Sequence, residues 1–506
     1  MGVVRQVKPI IGPRDLVIQV AMNYIKSRAV SHRNIVIINA NMAANTDNMD
    51  ISASIAGILK EEHCPEHLQV LKTFTTTLRD KEYRDAVKEE VLSRLCDELH
   101  AVSCDDQDLQ SVALQLQLTA ECFRAQRNTC VESDRNQSLL RELGFIDVSL
   151  KLLDFLQTRH SESRDGIFEP LRCGIQFLGN LSVGNQMCKD DIWRLSFPNL
   201  LMQLLSVDDE KTVNYASMVL HTCLDEAKVE ELSDLQNIQL ALRVMELCRT
   251  HPDLDWTVLI ATQFFLKSSA LVESMYSGMS HHERLTLLEL LFAQLQEEDS
   301  EECGIPPDVA RFVATSFVKG CGAVLTLATG SASSDEVLQE AMTVISLLDV
   351  LCEMTSDHKQ FKFLQKHPDL LVHTIGKASK NVFSAAQNFS SLGGDGDPSS
   401  HSPVISFKAH LIRLIGNLCY SNTDNQNKVS ELEGIPLILD NCNIDIISQW
   451  AIFAVRNLLE HNKKNQEQVA ALERRGTTDY SALKELGFEV EQRDGGLLLK
   501  TVRKDS

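Results

Sequence analysis

A spaced pattern of amide side chains is the feature that most constrains how this chain can fold. The pattern is an asparagine, seven intervening residues and then an Asn-Gln pair. It occurs at Asn128 with Asn136-Gln137, at Asn417 with Asn425-Gln426, and at Asn457 with Asn465-Gln466. A shortened relative, in which only four residues intervene, lies at Asn180 with Asn185-Gln186. The step from Asn417 to Asn457 is 40 residues, which indicates a repeated structural unit.

One complete unit, Leu411–Cys442, reads as three helices separated by two breaks. Apolar residues within Leu411–Cys419 recur with the 3.6-residue period of a helix. The polar run Ser421–Asp424 can accept the free amides at the start of a second helix. Gly434 breaks that helix, and Pro436 suits the first turn of a third helix because proline lacks an amide donor. A single unit cannot bury its own apolar faces. The sequence therefore predicts an all-α fold, an armadillo/HEAT-like α-solenoid of stacked repeats.

Composition narrows the classes of partner. The chain carries 49 Lys and Arg residues against 70 Asp and Glu residues, a formal net charge of −21. An average surface of that sign repels a phosphate backbone, so we expect no nucleic-acid partner and favour basic protein partners. An aromatic content of 6% favours packing of helix on helix over a β-sandwich.

The cysteines and the hydropathy pattern bear on the cellular compartment. None of the 14 cysteines forms a C-x-x-C pair, and most lie in apolar helical runs, where a thiol acts as a small hydrophobic group. This usage predicts a reducing compartment such as the cytoplasm or nucleus. No run of 18 uncharged apolar residues occurs, so we expect no membrane insertion.

The chain divides by composition into six segments. They are a basic N-terminal extension at residues 1–48, a helical cap at 49–106, armadillo-like repeats at 107–378, a Ser- and Gly-rich flexible loop at 379–403, C-terminal repeats at 404–476, and a terminal cap with a β-hairpin at 477–506. The basic extension suits either a transit peptide or an upstream start preceding an ordinary initiator at Met42. Ser402 precedes a proline in the loop and is a candidate phosphorylation site. The hairpin is predicted from alternating apolar residues around an Asp-Gly turn.

Motifs for catalysis and cofactor binding are missing from the sequence. It contains no Walker loop, no dinucleotide-binding glycine fingerprint, no H-E-x-x-H zinc helix and no G-x-S-x-G nucleophile elbow. Adjacent residues His281 and His282 point to different helix faces, which is poor geometry for one metal ion. We therefore expect no catalytic residues, no cofactor and no metal site, and predict that the chain is not an enzyme.

Two interpretations of the repeated asparagines remain open. Asn128, Asn180, Asn417 and Asn457 either hydrogen-bond a neighbouring repeat and fix the stack, or line a groove and bind an extended peptide backbone. Nuclear-import adaptors of this fold place tryptophan four residues before such an asparagine. Those positions here hold Arg124, Gln176, Arg413 and Phe453, so the aromatic slots of a nuclear-signal receptor are absent.

Several runs identify a family resemblance. The segments RCGIQFLGN, LLDVLCEMT, HLIRLIGNLCY and EGIPLILDNCNID resemble the ataxin-10 family of armadillo-type proteins, from about residue 107 to the C-terminus. The resemblance implies a non-enzymatic cytoplasmic protein, also perinuclear and at the midbody and the centrosome or ciliary basal body. It implies roles in neuron survival, neurite outgrowth and cytokinesis. The implied partners are a heterotrimeric G-protein β subunit and O-GlcNAc transferase.

Taken together, the residues and the resemblance predict a scaffold that binds protein partners on its helical surface. A transport adaptor that recognises extended peptides and an enzyme regulator are the alternatives. Exposed end faces of a helical stack also leave homo-oligomerisation open.

Overall fold

The described part of the chain is almost entirely helical. The computed structural model describes residues 65–100, 102, 109–159, 166–296, 305–328, 335–357, 361–379, 403–442, 445–474, 488–493 and 496–501. The chain separates into two compact units, Met1–Phe265 and Leu266–Ser506. This helical architecture is consistent with the predicted α-solenoid.

Unit 1 is built from successive groups of three helices. The helices are α1 (Pro65–Thr77), α2 (Lys81–Asp85), α3 (Glu89–His100), α4 (Leu109–Thr129), α5 (Asp134–Glu142), α6 (Phe145–Arg159), α7 (Phe168–Ser182), α8 (Gln186–Ser196), α9 (Asn199–Leu204), α10 (Glu210–Cys223), α11 (Glu226–Ser233), α12 (Ile238–Thr250) and α13 (Asp255–Gln263). The first helix of each group packs on the first helix of the next, in the order α1, α4, α7, α10 and α13. Helices α3 and α6 also pack together, as do α6 and α9, and α9 and α12. Neighbouring groups thus bury the apolar faces that one group cannot bury alone.

Unit 2 repeats this arrangement with longer and less regular pieces. After a 3₁₀ turn at Phe265–Lys267 come α14 (Ser269–Gly278), α15 (His281–Leu295), α16 (Pro307–Gly320), α17 (Gly322–Ala328), α18 (Asp335–Ser356), a 3₁₀ segment at Lys362–Lys366, α19 (Leu370–His373), a π-helical turn at Thr374–Ser379, α20 (Pro403–Cys419), α21 (Thr423–Glu431), α22 (Gly434–Leu439), α23 (Asp445–Leu459) and α24 (Lys463–Arg474). Helices α15, α18, α20 and α23 pack in that order. Two final strands, β1 (Phe488–Arg493) and β2 (Gly496–Thr501), pair antiparallel, and β2 contacts α24.

Helix starts follow from local capping chemistry. Asp209 accepts the Thr212 amide at 2.9 Å and begins α10. Ser280 and Glu283 form a capping box at the start of α15, in which each side chain accepts the other residue's backbone amide. Such caps use the amide donors that a helix start leaves without an intrahelical partner.

Two glycines permit close approach of stacked helices. A Cβ placed on Gly174 of α7 would lie 2.8 Å from Leu153 Cδ2 and 3.0 Å from Phe123 Cε2. A Cβ on Gly416 of α20 would lie 3.0 Å from the Cα atom of Ala454 in α23. Gly174 and Gly416 therefore both allow neighbouring stacked helices to approach closely.

Every described cysteine is buried and has a free thiol. Burial raises the pKa of the Cys188 thiol to about 11, so this thiol stays protonated at neutral pH. The described cysteines therefore act as small hydrophobic groups, as the sequence predicted.

Candidate functional site

The repeated asparagines lie near the C-terminal ends of the stacked helices. We call Asn128, Asn180, Asn417 and Asn457 the asparagine ladder. In unit 1, Asn128 of α4 donates its amide Nδ2 to the carbonyl oxygen of Thr75 in α1 at 3.0 Å. One repeat later, Asn180 of α7 donates to the carbonyl oxygen of Arg127 in α4 at 3.2 Å. Each side chain therefore reaches back to the preceding stacked helix.

Unit 2 contains the same contacts in a more buried setting. Asn417 of α20 is 3% exposed, and its Nδ2 donates to the Cys352 carbonyl oxygen at 3.1 Å and to Thr355 Oγ1 at 3.0 Å in α18. Asn457 of α23 is 2% exposed and donates to the Gly416 carbonyl oxygen at 2.9 Å. The ladder thus joins consecutive stacked helices in both units.

The glutamine of the Asn-Gln pair acts in the opposite direction along the stack. Gln137 of α5 donates Nε2 to the carbonyl oxygens of Asn180 and Val183, both at 2.9 Å. Gln426 of α21 donates to the Asn457 carbonyl oxygen at 2.8 Å. The side-chain amide of a ladder asparagine therefore donates to the preceding stacked helix, and its backbone carbonyl oxygen accepts from the glutamine of the preceding repeat.

The asparagine of each pair closes the turn within its own repeat and contacts the repeat before it. Asn465 donates to the Leu458 carbonyl oxygen at 3.0 Å and to the Gln426 carbonyl oxygen at 3.1 Å. The same pair of bonds recurs at Asn136, which reaches Thr129 and Arg84, and at Asn425, which reaches Leu418 and Gln365.

These amides meet a specific need of stacked helices. The last four carbonyl groups of an α-helix have no intrahelical donor, and leaving them buried without a partner costs free energy. Thr75, Arg127 and Gly416 each lie in the last four residues of their helix. The ladder supplies donors to these carbonyl groups where the helix ends are covered by neighbouring helices.

The predicted alignment of the shortened motif at Asn180 with the other three motifs is wrong. Asn185 is the N-cap of α8 and accepts the Cys188 amide at 3.1 Å. Asn422 and Asn462 have the same role five residues after Asn417 and Asn457. Asn185 therefore corresponds to the cap and not to the Asn-Gln pair. Cys188 stands at the pair's first position, with its Sγ 3.9 Å from the Gln137 carbonyl oxygen.

Three further residues occupy related positions that the asparagine pattern does not include. Gln365 donates to the carbonyl oxygens of Asn417 at 3.3 Å and Tyr420 at 3.0 Å, as Gln426 does one repeat later. His221 follows Asn180 by 41 residues, and Gln263 follows His221 by 42. His221 Nε2 and Gln263 Oε1 are 2.9 Å apart, so this contact joins α10 to α13. A search for the repeat step, without requiring asparagine, would have found the last two.

Charged side chains beside the ladder are already paired. Arg124 contacts Glu121 at 2.9 Å and also Glu169 of the next stacked helix. Arg413 contacts Glu353 of α18 at 3.1 Å. These arginines hold two of the positions where an import adaptor has tryptophan, and both use carboxylates of their own unit.

Other predicted sites have less structural support. Ser402 lies outside the described residues. Within the described part of the chain, no group of three or more His, Cys, Asp or Glu side chains could hold a metal ion. None of the helices described is both long and apolar enough to cross a membrane.

Comparison with known proteins establishes the family. The family model of the Spinocerebellar ataxia type 10 protein domain matches residues 407–500, which include the ladder residues of α20 and α23. Ataxin-10 of Xenopus tropicalis is 40% identical over 447 residues, covering 84% of this chain and 90% of that protein. Human ataxin-10 is 39% identical over 461 residues, covering 87% and 95%. This chain belongs to the ataxin-10 family.

The predicted family membership is confirmed, and it supports a non-catalytic helical scaffold. A shorter match reaches a more distant member, the ataxin-10 homolog of Dictyostelium discoideum, which is 42% identical over 96 residues. That match covers 18% of this chain and 16% of the homolog.

Proposed function

We propose that this ataxin-10 family member is a non-catalytic scaffold that binds protein partners on the outer surfaces of its stacked helices. We also propose that the asparagine ladder fixes the stack and does not contact a partner. The observation that carries this proposal is that every ladder amide donates to a preceding stacked helix. The ladder then defines the spacing of the helices that present the partner surfaces.

The hydrogen-bond capacity of the ladder supports the stacking role. An asparagine amide has two N–H donors, and a side chain that clamps an extended peptide needs a donor and an acceptor free. In Asn417, two donor bonds go to α18, and 3% of the residue is exposed. Asn457 is 2% exposed. A peptide would have to break contacts between helices before it could reach either amide.

The paired arginines weigh against the transport-adaptor alternative. A basic peptide in a groove beside the ladder would have to compete with Arg124 for Glu169 and with Arg413 for Glu353. Arg413 also covers the ring of Trp450, with its guanidinium carbon 4.8 Å from the ring centroid. At Arg124 and Arg413, the chain's own side chains thus occupy the positions beside the ladder that a basic peptide would need.

Family membership supports the more specific part of the proposal. We propose roles in neuron survival, neurite outgrowth and cytokinesis, and at the ciliary basal body, with a cytoplasmic, perinuclear, midbody and centrosomal distribution. A heterotrimeric G-protein β subunit and O-GlcNAc transferase are the proposed partners, and Ser402 is a proposed phosphorylation site. The β1–β2 pair is proposed to cover the end of the helical array, an arrangement supported by the contact between β2 and α24.

The test separates stacking from partner contact. Full-length chain and the double variant Asn417→Asp, Asn457→Asp are used to capture purified G-protein β subunit and purified O-GlcNAc transferase. Gln449→Glu is the matched control because it makes the same amide-to-carboxylate change at an exposed position of α23. Folding of each protein is followed by circular dichroism and hydrogen exchange.

The stacking role predicts faster exchange in α20 and α23 of the double variant, with capture that falls only as far as the folded fraction falls. Loss of capture with unchanged exchange would place the partner at the ladder and contradict the proposal. Failure of the unsubstituted chain to capture either protein would remove these two as partners.

A further inference from the structure

The ladder changes character at α10, where an aromatic cluster takes the place of asparagine. His221, Trp256 and Phe264 form this cluster, and all three are partly exposed. The imidazole of His221 lies 5.2 Å from the Trp256 ring and 5.4 Å from the Phe264 ring, measured between centroids. Its Nε2 atom also contacts Gln263 Oε1 at 2.9 Å. These contacts fix the positions of the three rings, which belong to α10 and to the two ends of α13.

Two other partly exposed aromatic rings of this chain are covered by its own arginines. The guanidinium carbon of Arg413 lies 4.8 Å from the centroid of Trp450, and that of Arg284 lies 4.7 Å from the centroid of Tyr276. Such stacking is favourable because the face of an aromatic ring attracts a cation. The cluster around Trp256 differs, because none of the described residues places an arginine or lysine over that indole.

The three tryptophans make the contrast direct. Trp193 is buried and stacks on Phe197 with 4.3 Å between the ring centroids. Trp450 is partly exposed and covered by Arg413. Trp256 is partly exposed, and its ring contact among the described residues is with His221. Its indole therefore offers a face for a cation from another molecule.

Nearby charge favours a cation in particular. Asp255 immediately precedes Trp256, Asp253 lies two residues before Asp255, and both aspartates are exposed. No salt bridge reaches either carboxylate from the described residues. Partial burial raises the pKa of the Asp255 carboxyl, and the charge of Asp253 raises it further. A bound cation would relieve that repulsion.

We propose that the aromatic cluster, together with Asp253 and Asp255, binds an arginine side chain from a basic segment of a partner protein. Arginine fits better than lysine because its flat guanidinium can stack on the indole while its N–H groups reach carboxylates. The inference deepens the proposed scaffold function and rests on it. It assigns one contact surface in unit 1 and the charge of the segment that this surface receives.

The test uses a defined peptide instead of an unidentified partner. Binding of a fluorescein-labelled peptide of alternating Arg and Gly to the full-length chain is measured by anisotropy, beside Lys-Gly and Glu-Gly peptides of equal length. The variants are Trp256→Leu, Trp256→Phe and the double variant Asp253→Asn, Asp255→Asn. The control Asp208→Asn, Glu210→Gln removes the same charge from exposed positions elsewhere in unit 1.

We expect the Arg peptide to bind more tightly than the Lys peptide, and the Glu peptide not to bind. Trp256→Leu should weaken the Arg peptide about tenfold, and Trp256→Phe by less, because phenyl rings attract cations less strongly than indole. Equal weakening by the control charge variant would show that net charge alone attracts the peptide and would overturn the site. Unchanged binding of the Arg peptide to a Trp256→Leu variant that circular dichroism shows to be folded would also overturn the site. If the peptide does not bind but purified partners are still captured, this inference fails and the scaffold function stands.

Discussion

Replacing Asn417 with aspartate gives the sharpest test of the ladder. The two side chains have nearly the same shape, so the change removes donors without creating a cavity. Asn417 uses Nδ2 to donate to the Cys352 carbonyl oxygen and to Thr355 Oγ1, at 3.1 and 3.0 Å. A carboxylate oxygen at that place faces the Cys352 carbonyl oxygen as acceptor against acceptor. The stacking of α20 on α18 should therefore weaken.

The expected size follows from these contacts. Each lost hydrogen bond removes about 1 kcal/mol, and a buried acceptor left without a donor costs about 1–3 kcal/mol more. The sum is about 3–5 kcal/mol for the local free energy of opening. At 1.4 kcal/mol per factor of ten, amide exchange that depends on this opening should accelerate at least about 100-fold.

The loss of stability caused by Asn417→Asp should also depend on pH and should become smaller as the pH falls. Residue 417 is 3% exposed, so burial should raise the pKa of the introduced carboxyl above its unfolded value of about 3.9. The native state then holds the proton more tightly than the unfolded state. The loss of stability is therefore complete above the raised folded pKa and shrinks as the pH falls towards 3.9. The protonated acid can also donate one of the two missing bonds.

Hydrogen exchange with mass spectrometry measures both features in the full-length chain. Exchange in α20 and α23 is compared for the unsubstituted chain, Asn417→Asp and the exposed control Gln449→Glu, at pH 7 and pH 5 after correction for intrinsic rates. We expect a large difference for Asn417→Asp at pH 7 and a smaller one at pH 5. Exchange of Asn417→Asp that matches Gln449→Glu at both values would refute the stacking role of this amide.

Two further changes test the packing of unit 2. Gly416→Ala should lower the thermal unfolding midpoint, because the new Cβ would lie 3.0 Å from the Ala454 Cα. Overpacking of this kind costs about 1–3 kcal/mol, whereas the gain in helix propensity is about 1 kcal/mol. An unchanged or higher midpoint would show that α20 and α23 can move apart to make room for the methyl group. Burial lowers the pKa of Lys408 to about 8 despite the charge of Asp440, so the native state releases this proton before the unfolded state does, and stability should rise between about pH 8 and pH 10.5. Urea denaturation at pH 7.5 and 9.5 should show that rise, and Lys408→Met should reduce it; a rise of equal size in the variant would mean that other groups cause it.

The sequence predicted the stacked architecture because helical periodicity and a 40-residue repeat can both be recognised without knowing which segments pack together. It also placed all four ladder residues, since asparagine is rare enough at a fixed helix position for its recurrence to be noticed. The misalignment at Asn185 has a simple cause. Asparagine serves both as an N-cap acceptor and as a donor to carbonyl groups, and sequence spacing alone did not separate the two uses.

Contacts that depend on three-dimensional register were not predictable. Gln365 lacks an adjacent asparagine, so nothing in its sequence neighbourhood connects it with Gln426. The pairing of Arg172 with Asp209 depends on how α7 lies beside the start of α10. The boundary between unit 1 and unit 2, after Phe265, is not marked by a change in amino-acid composition. Each of these features is set by packing between segments that are about 40 or more residues apart or by the sum of many contacts.

The choice of amide side chains follows from what a stacked helix end requires. Its last carbonyl groups need donors, and the neighbouring repeat must supply them in a place with little water. Lysine would bring a charge that is costly to bury, and serine has a single donor on a side chain too short to span two helices. Asparagine and glutamine are neutral, carry two donors and also keep an acceptor. Gln426 uses all of these, because its Nε2 donates to the carbonyl oxygens of Asn457 and Cys419 while its Oε1 accepts from Asn462 at 3.2 Å. The recurring Asn and Asn-Gln pattern is therefore explained by the stacking of repeats, and the proposed contact with a partner arginine lies where that pattern stops, at His221 and Trp256.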